Sequence, residues 1–358
     1  LEAARRDQLT TKAQIREQVV RLLDSEAGRR HLGDFVAHWF ELDEVFDAAR
    51  PDVPELTPEV KTAMVREVQE HFLHVVYDED VPFRDFYAGD YTFLNRTLAE
   101  FYGVPGRFGD EFRRVQIEGR GGPIASGAFM TVNAHAERSA PILRAVSARE
   151  NALCHHIEDP SSPIAGEDID AQRAAAQARV AEREAEEGAL SSRDFYFAYT
   201  DGIDACAVCH EKIINPMFGL EDFDNVGRMR PRAGRDTVLE TIRGLEKPVS
   251  LSGTLIGVAS TSDPTEIRYA GAKDFSTKIA DTDAVKTCLV RKAFRFMTGL
   301  PASDRDVDTG DRERLSEDAR RTFRCVAHRM KDHFLESGES PRAMLIALAT
   351  ESLVRLRR

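Results

Sequence analysis

The chain has 358 residues, 42% of them hydrophobic and 31% charged, the balance of a soluble globular protein with an ample core and room for two or three domains. Its 49 Lys and Arg stand against 61 Asp and Glu, a net charge of −12, which argues against nucleic acid as a partner because such binding rests on basic side chains neutralising phosphates. No run of about eighteen apolar residues occurs, so nothing in the sequence reads as a transmembrane segment.

Starting at Leu1 without an initiator Met or a signal peptide, the sequence reads as a mature or trimmed fragment. The first hundred residues predict amphipathic helices. Thr11-x-x-Gln14 is a capping box ahead of Ile15, Val19 and Leu22. A second helix carries Phe35, Trp39 and Phe40. A third has Thr57 as N-cap and Pro58 at its first position, with Val60, Met64, Val68, Phe72 and Val75 on one face. His71 and His74 lie on or beside that face, where a helical histidine is ordinarily a satisfied side chain. Asp90–Asn95 leads into a short helix that Gly103 ends.

Residues 105–135 are punctuated by glycines and predict an irregular connector ending at Met130-Thr-Val-Asn-Ala-His135. Ser139-Ala-Pro141 begins a helix expected to run through Cys154. Residues 158–167 form a polar Pro/Ser loop, and Asp168 to Glu187 a solvated Ala/Glu/Arg helix.

The most informative stretch is Cys206-Ala-Val-Cys209-His210, the attachment signature of a c-type haem. Two thiols two residues apart add to the porphyrin's vinyl groups, and the adjacent imidazole reaches the iron from the same short turn. Three other uses of a C-x-x-C fit less well. A structural zinc site wants four ligands, usually two spaced pairs, and the only second cluster is Cys154-His155-His156. A thioredoxin-like motif needs a preceding strand, whereas Tyr199–Asp204 reads as a turn. A simple disulfide is the third. Cys206 and Cys209 are therefore expected to bind haem covalently, with His210 as proximal ligand.

For the distal ligand, His135 is the leading candidate, coming from a separate Gly-rich segment. Met217 is the alternative, only seven residues past His210, in the stretch after Cys-x-x-Cys-His that normally packs on the proximal side. Residues 229–280 predict short strands or loops, as in Val249–Val258. The end is helical again: Asp283–Met297, then a stripe of Leu315, Ala319, Phe323, Val326, Met330 and Phe334, then a last helix capped by Ser340-Pro341. Of the three remaining cysteines, Cys288 and Cys325 lie in adjacent C-terminal helices and are expected to pair, with Cys154 as the rival partner.

The phrases Asp90-Tyr-Thr-Phe-Leu-Asn95, Met130–His135 with Ser139–Arg144, Gly219-Leu-Glu-Asp-Phe-Asp-x-Val-Gly-Arg228, and Phe294–Gly299 after Cys288 resemble, in that order around the haem motif, the planctomycete-type cytochrome c family, also met in myxobacteria-like proteins. The resemblance covers the chain from about residue 20 to its end, Gly219–Arg228 being its most specific part. One departure is that Pro216-Met217-Phe218 stands where the family places its proline one residue earlier.

The fold class expected is mainly α: a helical N-terminal domain (1–104), a small irregular haem c domain (105–245) and a helical C-terminal domain (246–358). The function expected is electron transfer by an exported mono-haem c-type cytochrome, periplasmic or extracellular, with redox proteins such as other cytochromes as partners. The alternative is a peroxidase- or oxygenase-like haem enzyme with an open or displaceable distal site, for which His135, Glu137 and Arg138 form an acid–base cluster. A structural haem in an exported scaffold is a third reading.

Overall fold

Helix caps set the turns of the N-terminal segment. The computed structural model describes residues 2–78, 81–157, 169–201, 203, 209–257, 262–299 and 317–351. Helix α1 (Lys12–Leu23) opens on the reciprocal Thr11/Gln14 capping box, and α2 (Glu26–Trp39) on Ser25, whose hydroxyl accepts from Gly28 N–H. Helix α3 (Pro58–Tyr77) opens on Thr57 with Pro58 at its first position. Its apolar face packs on α2, and Phe35, Trp39, Phe72 and Phe86 meet there with ring centroids 5.2–6.4 Å apart. His71 is buried in that face, its Nε2 3.0 Å from the Asp85 carbonyl and its Nδ1 accepting from Gly122 N–H, so it is a satisfied core histidine.

The segment 105–135 is more ordered than its glycines suggest. Strand β1 (Tyr91–Leu94) leads into α4 (Arg96–Tyr102), and β2 (Arg113–Gln116) returns to pair antiparallel with β1, Tyr91 opposite Gln116. Helix α5 (Gly127–Val132) starts at Ser126 and ends just before His135. Helix α6 (Pro141–Ser147) begins a helical run that reaches Leu153, one residue short of the expected Cys154. It widens into a π-type turn, Ala148–Ala152, and Cys154 takes a positive φ of 48° that no helix tolerates. The expected polar loop 158–167 lies outside the described residues, as do Cys206, Val258 and Leu315.

Helix α7 (Ile169–Glu187) is largely exposed, as its composition requires, and lies along α8 (Ser192–Thr200). After the motif, β3 (Arg232–Gly234), β4 (Thr237–Ile242) and β5 (Leu245–Ser250) form an antiparallel sheet in that order. Arg243 and Gly244, both at positive φ, make the two-residue hairpin turn between β4 and β5. Strands β6 (Ser252–Ile256) and β7 (Glu266–Ala270) form a second pair. The region also contains a helix that was not expected, α9 (Ala272–Ile279), whose first N–H, that of Ala272, donates to the buried carboxylate of Asp222 at 2.6 Å.

Helices α10 (Asp283–Thr298), α11 (Glu317–Glu336) and α12 (Pro341–Thr350) close the fold, α12 lying also on α1. Phe323, Val326, Met330 and Phe334 are buried, as their spacing predicts. Among the described residues a main apolar core runs from Leu32 to Leu348, with a small separate cluster of Val180, Leu190 and Ala198 and another of Val238, Val249 and Leu251. The fold is mainly helical, with three small antiparallel sheets among the described residues.

The expected Cys288–Cys325 disulfide is not formed. Cys288 is buried in α10 and bonds to Cys154, with their Cα atoms 5.2 Å apart, while Cys325 is an exposed free thiol. The reason is which face each residue occupies. Cys325 falls between the buried Phe323 and Val326 but points outward, whereas the positive φ of Cys154 turns its side chain into the core beside α10.

Candidate functional site

The motif follows directly from α8. That helix starts at Ser191, whose hydroxyl accepts from Asp194 N–H, and ends at Thr200; of the expected turn Tyr199–Asp204, Tyr199 and Thr200 are helical, Asp201 is a turn, and Gly202 and Asp204 lie outside the described residues. Cys206 lies outside the described residues. Cys209 is a half-buried free thiol, and His210 opens a π-type turn, His210–Ile214, which passes directly into a 3-10 turn, Asn215–Met217. Helix α6 packs against both turns and against α8. Ile142, Val146, Tyr196, Phe197, Cys209 and Ile213 are half-buried apolar residues packed against the main core, and Leu143 is 40% exposed on the same helix as Ile142 and Val146.

His210 is held at one nitrogen. Its Nδ1 lies 3.1 Å from Asn215 Oδ1, and Asn215 Nδ2 donates to Thr200 Oγ1 at 2.9 Å. Its Nε2 has no hydrogen-bond partner among the described residues. Burial favours the uncharged ring and lowers its pKa, against a smaller opposing effect from the Asn215 hydrogen bond. A neutral imidazole with one nitrogen anchored and the other open, next to a free thiol, has the donor chemistry that iron and a porphyrin vinyl group require. Of the motif's three donors, the two among the described residues, Cys209 and His210, have the chemistry a c-type haem would use.

The two distal candidates sit in different surroundings. His135 is exposed just after α5, at the start of a bend closed by its own N–H donating to the Arg138 carbonyl. Its ring stacks on Tyr196 of α8 with centroids 6.1 Å apart. Partial burial lowers its pKa, and the nearby Arg50 and Arg138 charges add to that. Met217 is 1% exposed in the core, its thioether 3.8 Å from the Arg149 guanidinium and its carbonyl accepting from Tyr269 Oη. Glu137 is exposed, and Arg138 lies over the Phe195 ring and near Glu184.

Several residues that matter here were not singled out from sequence. Arg149 is buried, and its hydrogen-bond partners among the described residues are His155 Nδ1, Met217 Sδ and the carbonyls of Ile256 and Gly257. Desolvation pushes its pKa down to about 10. The phrase Gly219–Arg228 proves to be a packing device. Glu221 is buried between Arg144, at 3.0 Å, and Arg230, at 2.8 Å, and Arg230 also reaches Glu240 at 2.6 Å. The signal available was the charge density of a stretch flanked by Phe218, Leu220 and Phe223, all fully buried.

A cleft of about 1170 Å³ opens beside the motif, between the Asn215-Pro216 turn and the sheets, lined by Arg193, Asp201, Asp236, Tyr269 and Lys278 among others. Its wall is polar and of mixed charge, and neither Cys209, His210 nor His135 lines it. The candidate site is therefore Cys209 and His210 with the neighbouring helices α6 and α8.

Residues 1–104 match a family model described as PSD4, protein of unknown function (DUF1592), and residues 120–233 match one described as PSCyt3, protein of unknown function (DUF1588). Both are domains found in planctomycete-type cytochrome c proteins. No curated protein and no solved structure matches the chain.

Proposed function

We infer that this chain is an electron-transfer protein of the c-type cytochrome kind, carrying one haem through Cys206 and Cys209 with His210 as proximal ligand. The observation that carries the reading is the motif itself, set against a half-buried imidazole whose Nε2 is left open while Nδ1 is anchored. When bound, the haem supplies one-electron redox chemistry. The chain's own residues hold it, exclude water from one face and choose its ligands. Helix α6 and the aromatic side chains of α8 offer the apolar surface such a face needs.

His135 is the proposed sixth ligand. Its ring is exposed beside Tyr196, on the helix that feeds the motif, whereas Met217 is engaged in the core with Arg149. Two strong-field nitrogens would close the coordination and favour electron transfer over catalysis at iron. The family-model matches support the cytochrome setting, and the buried Cys154–Cys288 disulfide supports export to an oxidising compartment, the periplasm or beyond. Redox proteins are the proposed partners.

Intact mass after acid–acetone extraction should retain one haem, and Cys206→Ala with Cys209→Ala should abolish that retention. Zinc on metal analysis, or loss of all haem on extraction, would overturn the reading. His135→Ala should convert a low-spin spectrum into a high-spin one that binds cyanide, with the thioether bonds intact. A low-spin spectrum unchanged in that variant removes His135 from the iron, and a wild-type protein that already binds cyanide or peroxide favours the haem-enzyme alternative.

A further inference from the structure

We propose that Asn215 is a positioning residue that sets the tautomer of His210, and that Thr200 in turn sets the orientation of Asn215. The consequence for iron rests on the haem reading above, but the hydrogen-bond logic does not. Asn215 is 6% exposed, so its amide must find partners within the protein. One end meets Thr200 Oγ1 at 2.9 Å and the other meets His210 Nδ1 at 3.1 Å.

Thr200 decides which end is which. A threonine hydroxyl has a single proton, and this one is donated to the Tyr196 carbonyl, 2.8 Å away one turn back in α8. Thr200 Oγ1 can then only accept from Asn215. The amide NH₂ must face Thr200, and the amide oxygen must face His210. An amide oxygen brings no proton to that contact, so His210 Nδ1 provides it. In the neutral ring Nε2 is then a bare lone pair, pointing away from Asn215. A backbone carbonyl in α8 thus fixes, through two side chains, which nitrogen of residue 210 can bind a metal.

The wide turn makes this possible. The backbone N–H of Asn215 bonds the carbonyl of His210, five residues back, so the side chain of the fifth residue comes round to the ring. In a regular α-helix the fourth residue, Ile214, would stand there and offer no acceptor.

The test uses the protein as isolated. In the haem-loaded, reduced protein, the His210 Nδ1 proton should exchange slowly with solvent, and Asn215→Leu and Thr200→Val should each speed that exchange at least tenfold. Asn215→Asp, which strengthens the acceptor, should lower the midpoint potential. Asn215→Leu, which removes it, should raise the potential. Thr200→Ser keeps the hydroxyl and should restore both wild-type values. Thr200→Val is nearly isosteric and serves if Asn215→Leu fails to fold. Wild-type potential and exchange rate in Asn215→Asp and Thr200→Val overturn the inference while leaving the haem reading intact. If extraction shows that the chain carries no haem, that reading falls separately, and ring ¹⁵N shifts of the metal-free His210 still decide. A protonated Nδ1 supports the inference, and a protonated Nε2 overturns it.

Discussion

Glu221 shows how a fully buried carboxylate stays ionised. Burial works to raise its pKa, but the Arg144 and Arg230 charges, with hydrogen bonds from Ser139 and Arg230, outweigh it and hold the carboxyl below the usual range. Arg144 also donates to the carbonyls of Leu220, Phe223 and Asp224, tying α6 to the Gly219–Arg228 segment. Arg144→Met would leave Glu221 short of countercharge, and a loss of about 3–5 kcal/mol is expected in denaturant unfolding. Asp222, its neighbour, behaves oppositely. Burial pushes its carboxyl up to about 6, with the Ala272 N–H and the Arg232 charge only partly offsetting the cost. Because the folded state holds this proton at a pH where the unfolded state has lost it, stability from this group is greatest below about pH 4. It falls as pH rises through 6. Asp222→Asn should remove that slope, so that the stability difference between variant and wild type changes between pH 4 and 7 and is flat above.

At the scale of elements, two glycines at similar positive φ should respond differently to alanine. Gly103 ends α4 at φ 68° with nothing near an added Cβ, so Gly103→Ala should cost only the left-handed backbone, about 1 kcal/mol. Gly227, at φ 74°, would place that carbon 2.5 Å from Gly127 Cα at the start of α5. Gly227→Ala should therefore lose about 3 kcal/mol or more by the same unfolding measurement. Capped, periodic helices such as α1, α3 and α12 were legible in the sequence because their signals lie within one or two turns. The wide turns at Ala148 and His210 were not, since nothing local distinguishes them from a regular helix. Asn215 was overlooked for the same reason: five residues is the wrong spacing for the helix one expects after Cys-x-x-Cys-His. The Cys-x-x-Cys-His spacing is visible in the sequence whatever the fold around it, because all five residues are contiguous. The pairing of Cys154 is not, because its partner depends on a single positive φ and on a helix far along the chain.

Across the whole molecule, the Cys154–Cys288 bond joins the end of the π-type turn to α10 beside Trp39, whose indole N–H donates to the Asn151 carbonyl. The two cysteines are 134 residues apart, for which the chain-entropy account gives about 5 kcal/mol. Cys154→Ala with Cys288→Ala should lose about 2–5 kcal/mol, the lower values holding where the unfolded chain keeps residual structure. In the native protein Cys325 should be alkylated without reductant, and non-reducing peptide maps should show Cys154 and Cys288 in one linked peptide pair.

That bond also makes the chain between its two sulfurs a closed ring, and His210 with its motif lies on the ring and not on either tail. A protease that cuts once anywhere between residues 154 and 288 opens the ring without releasing a fragment. The motif stays covalently tied to both ends of the protein until a reductant is added. Two cuts are needed to free it, so a singly nicked chain keeps its full mass on a non-reducing gel and separates into two pieces only after reduction.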